Sequence, residues 1–280
     1  MKVRLLTALG ILILGLPILI FSEYIVYPIA LGLLSAIAVW ELLRVFGLHK
    51  AWVIAVPSYI TAAALPTLTH RDIIPTNRHT DYILVVALVI FLYLLYLAAV
   101  AVLDRGRLGY NKISAVFMSF TYVVVSFTSL GILRYMNNGV YLFEMVFIGA
   151  WVSDSMAYFT GRLIGRHKLA PTLSPKKTIE GSIGGIVFCI GAVVLYGFIL
   201  ERFFVSGGHA NYLVLAVSAV FMSVVSQVGD LIMSVIKRHY GIKDYGKLLP
   251  GHGGILDRFD SVMAVSIILA FICTYFNLLA

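Results

Sequence analysis

Long apolar runs alternate with short polar segments along almost the whole chain. About nine of these runs are long enough to cross a bilayer as helices, since a spanning helix needs about 20 mostly apolar residues. Pro57 and Pro66 interrupt the third run, which membrane helices tolerate where neighbours satisfy the freed carbonyls. The pattern predicts an all-α, polytopic membrane protein. Its predicted spans are 4–21, 24–43, 51–69, 82–103, 113–133, 140–160, 181–200, 211–236 and 259–279.

Composition supports lipid as the main solvent of the chain. Of the 280 residues, 61% are hydrophobic and 12% are charged, and the mean hydropathy is +0.98. A soluble globular protein has about 25% charged residues, and a disordered chain has few apolar ones, so both classes are excluded. The only two cysteines, Cys189 and Cys273, lie in apolar runs, where we interpret them as small buried hydrophobes rather than disulfide partners.

The basic residues predict an orientation with the N-terminus in the cytoplasm. In that orientation every Lys and Arg lies on the cytoplasmic side except Arg71, Arg78, Arg134 and Arg202, as the positive-inside rule requires. The net charge of +8 follows from this topology and gives no support for nucleic-acid binding. We therefore expect a multi-pass protein of the cell (inner) membrane.

The chain has no internal repeat or linker, so one integral membrane domain over 1–280 is the simplest division. Within it, 1–140 is interpreted as an apolar helical scaffold and 150–261 as the segment that carries the chemistry. Acids inside predicted spans are costly and are functional candidates by default. Four acids qualify, namely Glu41, Glu144, Asp154 and Asp230.

These acids differ in how well simpler explanations account for them. An ion pair with Arg44, three residues later, or snorkelling explains Glu41. Glu144 lies near an outer boundary and fits an interfacial position. Asp154 heads a polar stripe with Tyr158 and Arg162. For Asp154 both a functional role and an internal pairing with the arginine stay open.

Asp230 belongs to the clearest polar stripe of the sequence. Ser223, Gln227, Asp230, Ser234 and Lys237 are spaced so that they share one face of a helix whose other faces are apolar. Hydrogen bonding between helices would explain the serines and the glutamine. It would not explain a carboxylate with a lysine two turns away, so we predict that this face lines a wet cavity or a polar neighbour.

The segment between the last two predicted spans combines glycines with bases and acids. Glycines on both sides of His252 allow backbone amides to approach a ligand, and nearby basic residues favour an anion. Asp257, Asp260 and Ser261 share the first turn of the last helix, where acids also serve as helix caps. Because Mg²⁺ takes one or two carboxylates and leaves its other positions to phosphate and water, the segment predicts a metal bridging phosphates. The glycines are Gly251, Gly253 and Gly254, and the bases Lys237, Arg238, Lys243 and Lys247.

A second basic loop, 162–180, is predicted to face the same compartment. Ser174, Lys176, Lys177 and Thr178 precede a helix expected to begin near Gly181. Amides and the positive end of the helix dipole favour phosphate at such a position. Binding of anionic lipid headgroups is the open alternative.

Residues 234–260 carry a resemblance that is too specific for chance. They read Ser-x-apolar-Lys-Arg, four residues, Lys-Asp-x-Gly, and then Pro-x-His-Gly-Gly-apolar-x-Asp-Arg-apolar-Asp. This segment resembles the signature of the phosphatidate cytidylyltransferase (CDP-diacylglycerol synthase) family throughout. The stretches Ser174–Gly181 and Ser226–Asp230 are also similar to the family's, so the motifs cover about 150–261.

The resemblance implies an enzyme that condenses CTP with phosphatidic acid to give CDP-diacylglycerol and pyrophosphate. It further implies Mg²⁺ on Asp230 and Asp257, a potassium ion as second cation, and a homodimer. On this basis we expect Asp260 in or next to the metal shell, and Lys237, Arg238, Lys243 and Arg258 to neutralise charge. Phosphate oxygens are expected to contact Ser174, Lys176, Lys177, Thr178, His252, Gly253 and Gly254. Two alternatives are a CTP-dependent polyprenol kinase and, in another class, an anion transporter.

Overall fold

The computed structural model of the chain describes residues 13, 15, 17–70, 79–205, 209–251 and 253–279. The described part of the chain is mainly helical, because an apolar backbone satisfies all its hydrogen bonds internally as a helix. Its elements are α1 (Val26–Val45), α2 (Trp52–Thr67), α3 (His79–Leu103), α4 (Tyr110–Tyr135), α5 (Gly139–Ile164), β1 (Lys168–Ala170), β2 (Ser174–Thr178), α6 (Ile179–Phe203), α7 (Tyr212–His239) and α8 (Leu256–Tyr275).

The helices follow the predicted spans from the second to the ninth. Among the described residues, six helices are long and apolar enough to cross a membrane, namely α1 and α3 to α7. Only 22% of the most apolar window of α3 is buried, as expected for a helix surrounded by lipid. The first predicted span, 4–21, lies mostly outside the described residues. These observations support a polytopic helical membrane protein.

A short antiparallel hairpin forms the one sheet in the described segments. β1 pairs with β2, with Lys168 opposite Thr178 and Ala170 opposite Ser174. Glu180, in the first turn of α6, closes the base of the hairpin by accepting hydrogen bonds from the backbone N–H groups of Arg166 and His167. The loop predicted at 162–180 is therefore an ordered strand pair in front of a helix.

The chain divides into two compact units. The first unit comprises Met1–Tyr135 and Asp244–Arg258, and the second comprises Met136–Lys243 and Phe259–Ala280. The expected scaffold, 1–140, therefore groups up to residue 135 with part of the segment expected to carry the chemistry. The prediction of one integral membrane domain stays a prediction.

In the first unit α1 packs against α2 and α4. Some of the buried polar groups in this core have hydrogen-bond partners on neighbouring helices. Tyr27 donates its hydroxyl to the carbonyl of Leu130, and the hydroxyls of Ser58 and Tyr93 lie 2.6 Å apart. The Tyr93 ring stacks on Phe120.

In the second unit α6 packs closely against α5 and α7. Small residues allow the close approach, as is common between membrane helices. A Cβ at Gly184 would overlap Thr160, and one at Gly181 would overlap the carbonyl oxygen of Ala157. This packing brings the ends of α5, α6 and α7 together beside the hairpin.

Candidate active site

The second unit contains a cavity of about 320 Å³ beside the hairpin. Its size is at the lower end of the range for small-molecule sites. The helices α5, α6, α7 and α8 and the strand β2 all contribute to its wall. The lining residues are Asp154, Ala157, Tyr158, Leu169, Ser174, Lys176, Lys177, Thr178, Ser182, Gln227, Asp230, Asp260 and Ser261.

An ion pair between Lys177 and Asp230 lies at this cavity. The Lys177 Nζ is 2.7 Å from the Asp230 Oδ2, and both side chains are about one quarter exposed, at 22% and 28%. Nζ also donates to the carbonyl oxygen of Gln227. The partial exposure leaves both charges accessible to a ligand in the cavity.

Asp154 and Asp260 add two more carboxylates to the same cavity. Asp154, on α5, accepts hydrogen bonds from the hydroxyls of Ser261, at 2.6 Å, and Ser226, at 3.3 Å. Its charge interacts with those of Lys177 and Asp230. Asp260 interacts with Asp154 and Asp230, and also with Lys237 at the end of α7. The cavity therefore gathers three acids, and repulsion among them would be relieved by a cation.

The hairpin residues predicted to contact phosphate line the cavity together. Ser174 is half-buried, and Lys176 is exposed. Thr178 is the N-cap of α6, and its hydroxyl accepts a hydrogen bond from the Gly181 N–H at 3.1 Å. The helix thus begins at Ile179, two residues earlier than expected. The threonine has a capping role that the sequence did not separate from phosphate contact.

The polar stripe of α7 is only partly buried, and it divides into two parts. Ser223 lies 2.7 Å from Ser153 of α5, and Gln227 donates to the carbonyl of Ser182 and to Ser223. Hydrogen bonds between helices account for this part. Asp230 continues the stripe into the cavity. Hydrogen bonding between helices thus explains the part at Ser223 and Gln227, and a face that lines a cavity explains the part at Asp230.

The signature loop, residues 244–255, lies in the first unit, and several of its amides donate hydrogen bonds within that unit. Asp257 Oδ2 accepts the N–H groups of Tyr245 and Gly254, at 2.8 and 2.9 Å. The N–H of Gly253 donates to Leu249, and Gly253 has a φ of 92°, which favours glycine. Direct contact of Gly253 and Gly254 with phosphate stays a prediction.

The remaining predicted residues lie at the ends of these elements. Arg238, Lys243 and Arg258 are exposed, and Lys237 is half-buried. Arg258 belongs to the first unit, and the others to the second. His252 lies outside the described residues. Their roles in charge neutralisation stay predictions.

Comparison with known proteins decides the family. The model of the cytidylyltransferase family matches residues 2–276. The chain belongs to the cytidylyltransferase family. It is 35% identical over 266 residues to the phosphatidate cytidylyltransferase of Staphylococcus haemolyticus (strain JCSC1435), covering 95% of this chain and 96% of that protein.

Two further relatives of this chain are also named phosphatidate cytidylyltransferase. The phosphatidate cytidylyltransferase of Staphylococcus epidermidis (strain ATCC 35984) is 36% identical over 266 residues. That of Staphylococcus aureus (strain COL) is 36% identical over 267 residues. Each alignment covers 95% of this chain and 96% of the relative.

Asp154 was an open candidate from the sequence, and Tyr158 and Gln227 were not among the predicted site residues. The structure places all three at the cavity. The helical stripe headed by Asp154 was a usable signal, and it left a functional role and a pairing with Arg162 as open alternatives. Serines from α7 and α8 hydrogen-bond this carboxylate, and serines at such positions are common in membrane helices for packing alone.

The cavity has the donor chemistry that Mg²⁺ prefers. Carboxylates and hydroxyls are hard oxygen ligands, and Mg²⁺ uses only one or two carboxylates beside water and phosphate. Within the described ranges, no three acidic, histidine or cysteine side chains converge into a complete metal site. Carboxylates of this kind fit an ion that also binds a phosphate ligand.

Proposed function

We propose that this protein is a phosphatidate cytidylyltransferase that condenses CTP with phosphatidic acid, giving CDP-diacylglycerol and pyrophosphate. Membership of the family and the names of relatives that align over nearly the whole chain support this activity. The observation that carries the proposal is the mixed-charge cavity of the second unit. It presents Lys177, Asp230 and Asp260 beside the hairpin predicted to contact phosphate.

The reaction needs positioning and charge neutralisation more than a protein nucleophile. An oxygen of the phosphatidate phosphate forms a bond to the α-phosphorus of CTP, while the bond from that phosphorus to the bridging oxygen breaks and pyrophosphate leaves. The attacking phosphate is already an anion, so a strong general base is unnecessary. Two polyanions must approach each other, and fixed cations and hydrogen-bond donors lower that cost.

Different residues of the chain would position the substrates and neutralise their charge. Lys177 would exchange Asp230 for a phosphate oxygen, with Lys176 and Ser174 as further donors on the hairpin. Thr178 keeps α6 in place, so that its first amides and the positive end of its dipole favour an anion. We further propose that Lys237, Arg238, Lys243 and Arg258 neutralise the remaining negative charge.

We propose Mg²⁺ as the cofactor, with Asp230 as a ligand and Asp260 in or next to its shell. When bound, the ion would neutralise phosphate charge and polarise the α-phosphorus. The donor set of the cavity supports the Asp230 part of this proposal. The role of Asp257 as second ligand, and potassium as a second cation, are proposed from the family resemblance.

Purified protein in mixed lipid micelles with CTP, phosphatidic acid and Mg²⁺ tests the function. We expect CDP-diacylglycerol and pyrophosphate in equal amounts. Formation of a lipid monophosphate together with CDP from a polyprenol would instead identify a lipid kinase. Solute flux in sealed liposomes without nucleotide consumption would identify a transporter, and either result would contradict the proposal.

We also propose nine spans, a cytoplasmic N-terminus and a location in the cell (inner) membrane. The distribution of Lys and Arg among the loops supports this topology. Reporter fusions after Arg105 and after Asn138 should report opposite sides of the membrane. The homodimer is proposed from the family resemblance, and the mass of the purified protein in detergent measures it.

A further inference from the structure

Glu41 is a fully buried carboxylate that the proposed reaction does not use. It lies on α1 and is 0% exposed. Its Oε1 accepts the N–H of Ile255, and its Oε2 accepts the N–H of Leu256, both at 3.0 Å. Snorkelling is therefore a wrong explanation for this acid. A buried carboxylate is tolerated only where strong hydrogen bonds compensate its lost hydration.

The signature loop leaves room for this carboxylate at two glycines. A Cβ at Gly254 would overlap the carboxyl group of Glu41, and all three of its nearest atoms would belong to that group. A Cβ at Gly246 would overlap the Glu41 Oε1 as well. The loop backbone thus closes directly around the Glu41 side chain.

The other end of the loop is tied to the same helix. Arg44, one turn after Glu41, donates from its terminal nitrogen to the carbonyl oxygen of Tyr245 at 2.7 Å. The N–H of Tyr245 donates in turn to Asp257. The helix α1 therefore holds the loop at its start through Arg44 and at its end through Glu41.

We infer that Glu41 is a positioning residue for the enzyme's reaction, an inference that rests on the function proposed above. Glu41 fixes the backbone of residues 254–256, and this backbone leads directly into Asp257 and Arg258. Both of these side chains belong to the predicted charge-handling set. Glu41 and Arg44, both in the N-terminal half of the chain, thus fix the position of the signature loop. This part of the chain is more than a scaffold.

Turnover of three variants tests the inference. Glu41→Ala removes both acceptors, and we expect about a 100-fold loss of kcat because small misplacements of reacting groups have effects of this size. Glu41→Gln keeps one acceptor and turns an amide NH₂ toward the other N–H, so we expect about a tenfold loss. Ser35→Ala is the matched control, because Ser35 is equally buried on α1 and its hydroxyl has no hydrogen-bond partner among the described residues. We expect Ser35→Ala to keep wild-type turnover.

A double-mutant cycle separates positioning from general damage. Gly254→Ala should lower kcat at least about tenfold in the wild-type background, where the new methyl group meets Glu41. In the Glu41→Ala background the conflict disappears, and the further loss should be under about twofold. Equal losses in both backgrounds would overturn the inference.

Turnover must be expressed per folded molecule, counted as the monodisperse fraction in detergent. If Glu41→Ala lowers only the folded yield and leaves kcat per folded molecule unchanged, Glu41 is merely structural and the inference fails. It also fails if Glu41→Ala keeps full turnover.

Hydrogen exchange separates this inference from the proposed function. In wild type the amides of Ile255 and Leu256 should be protected, and Glu41→Gln should speed their exchange at least about tenfold while amides of α4 stay unchanged. If wild-type protein does not convert CTP and phosphatidic acid, the proposed function fails and exchange alone decides whether Glu41 fixes the loop. Unchanged exchange at residues 255 and 256 would overturn the inference in either case.

Discussion

The two units use buried and half-buried acids in opposite ways. In the first unit, Glu41 and Asp257 accept hydrogen bonds from backbone N–H groups of the signature loop and of the start of α8. In the second unit, Asp230 pairs with a lysine side chain, and both remain partly exposed. Backbone partners cannot leave, whereas a lysine can exchange one anion for another. Acids of the first kind therefore hold structure, a role that Asp257 would combine with its proposed role as a metal ligand. An acid of the second kind can change its partner for a ligand.

The variant expected to have the largest effect on turnover, and so to test this comparison most strongly, is Asp230→Asn. The change removes the charge that pairs with Lys177 and that we propose as a metal ligand. We expect about a 1,000-fold loss of turnover with an unchanged folded fraction, since removal of one group that stabilises charge in an active site has effects of this order. A variant with more than about a tenth of wild-type turnover would contradict the assignment of the cavity.

Lys177→Gln is expected to have the next largest effect, about a 100-fold loss. Lys176→Gln is its matched control, because Lys176 is adjacent, is exposed, and has the same predicted phosphate role. We expect only about a threefold loss there, as is typical of exposed charges. Steady-state assays of both variants decide this, and equal losses would show that the ion pair with Asp230 does not distinguish the two lysines.

Asp154→Asn sharpens the comparison within one helix. Loss of this charge should lower turnover about tenfold to 100-fold, the range for residues that support ligands of a site. Glu144→Gln, also on α5, is the control. Glu144 is exposed and accepts a hydrogen bond from Tyr196 at 2.5 Å, away from the cavity residues. Its turnover should stay within about twofold of wild type, and a loss matching that of Asp154→Asn would refute a specific role for Asp154.

The smallest effect is expected at the exposed base of the hairpin. Glu180→Gln weakens hydrogen bonds to His167 and to two backbone N–H groups. Solvent screens these interactions, so turnover should remain within about twofold of wild type. A larger loss in the same assay would show that hairpin closure, rather than Lys177 alone, controls the cavity.

Much of the helical framework could be predicted because lipid imposes a minimum length on apolar runs. The second to ninth predicted spans all correspond to helices. The hairpin at 168–178 was missed because its strands have only three and five residues, too few for an alternating pattern to stand out. Nine spans and the orientation stay predictions, since α2 is short and the first span lies mostly outside the described residues.

The candidate site was predictable where its pattern was periodic. Asp230, in the stripe that runs from Ser223 to Lys237, and the hydroxyls and lysines of 174–178 were selected from the sequence pattern, and the structure brings them to one cavity. Glu41 could not be found this way. Its partners are backbone amides 214 and 215 residues away, and a backbone amide has no sequence signature.

Binding of Mn²⁺, followed by electron paramagnetic resonance in the presence of CTP, tests the central claim most directly. That claim is that the partly exposed acids of the second unit bind the charged reactants. We predict that wild type and Glu144→Gln bind one ion per chain with the same affinity, and that Asp230→Asn binds it at least about 100-fold more weakly. Equal Mn²⁺ affinity in Asp230→Asn and wild type would contradict the account.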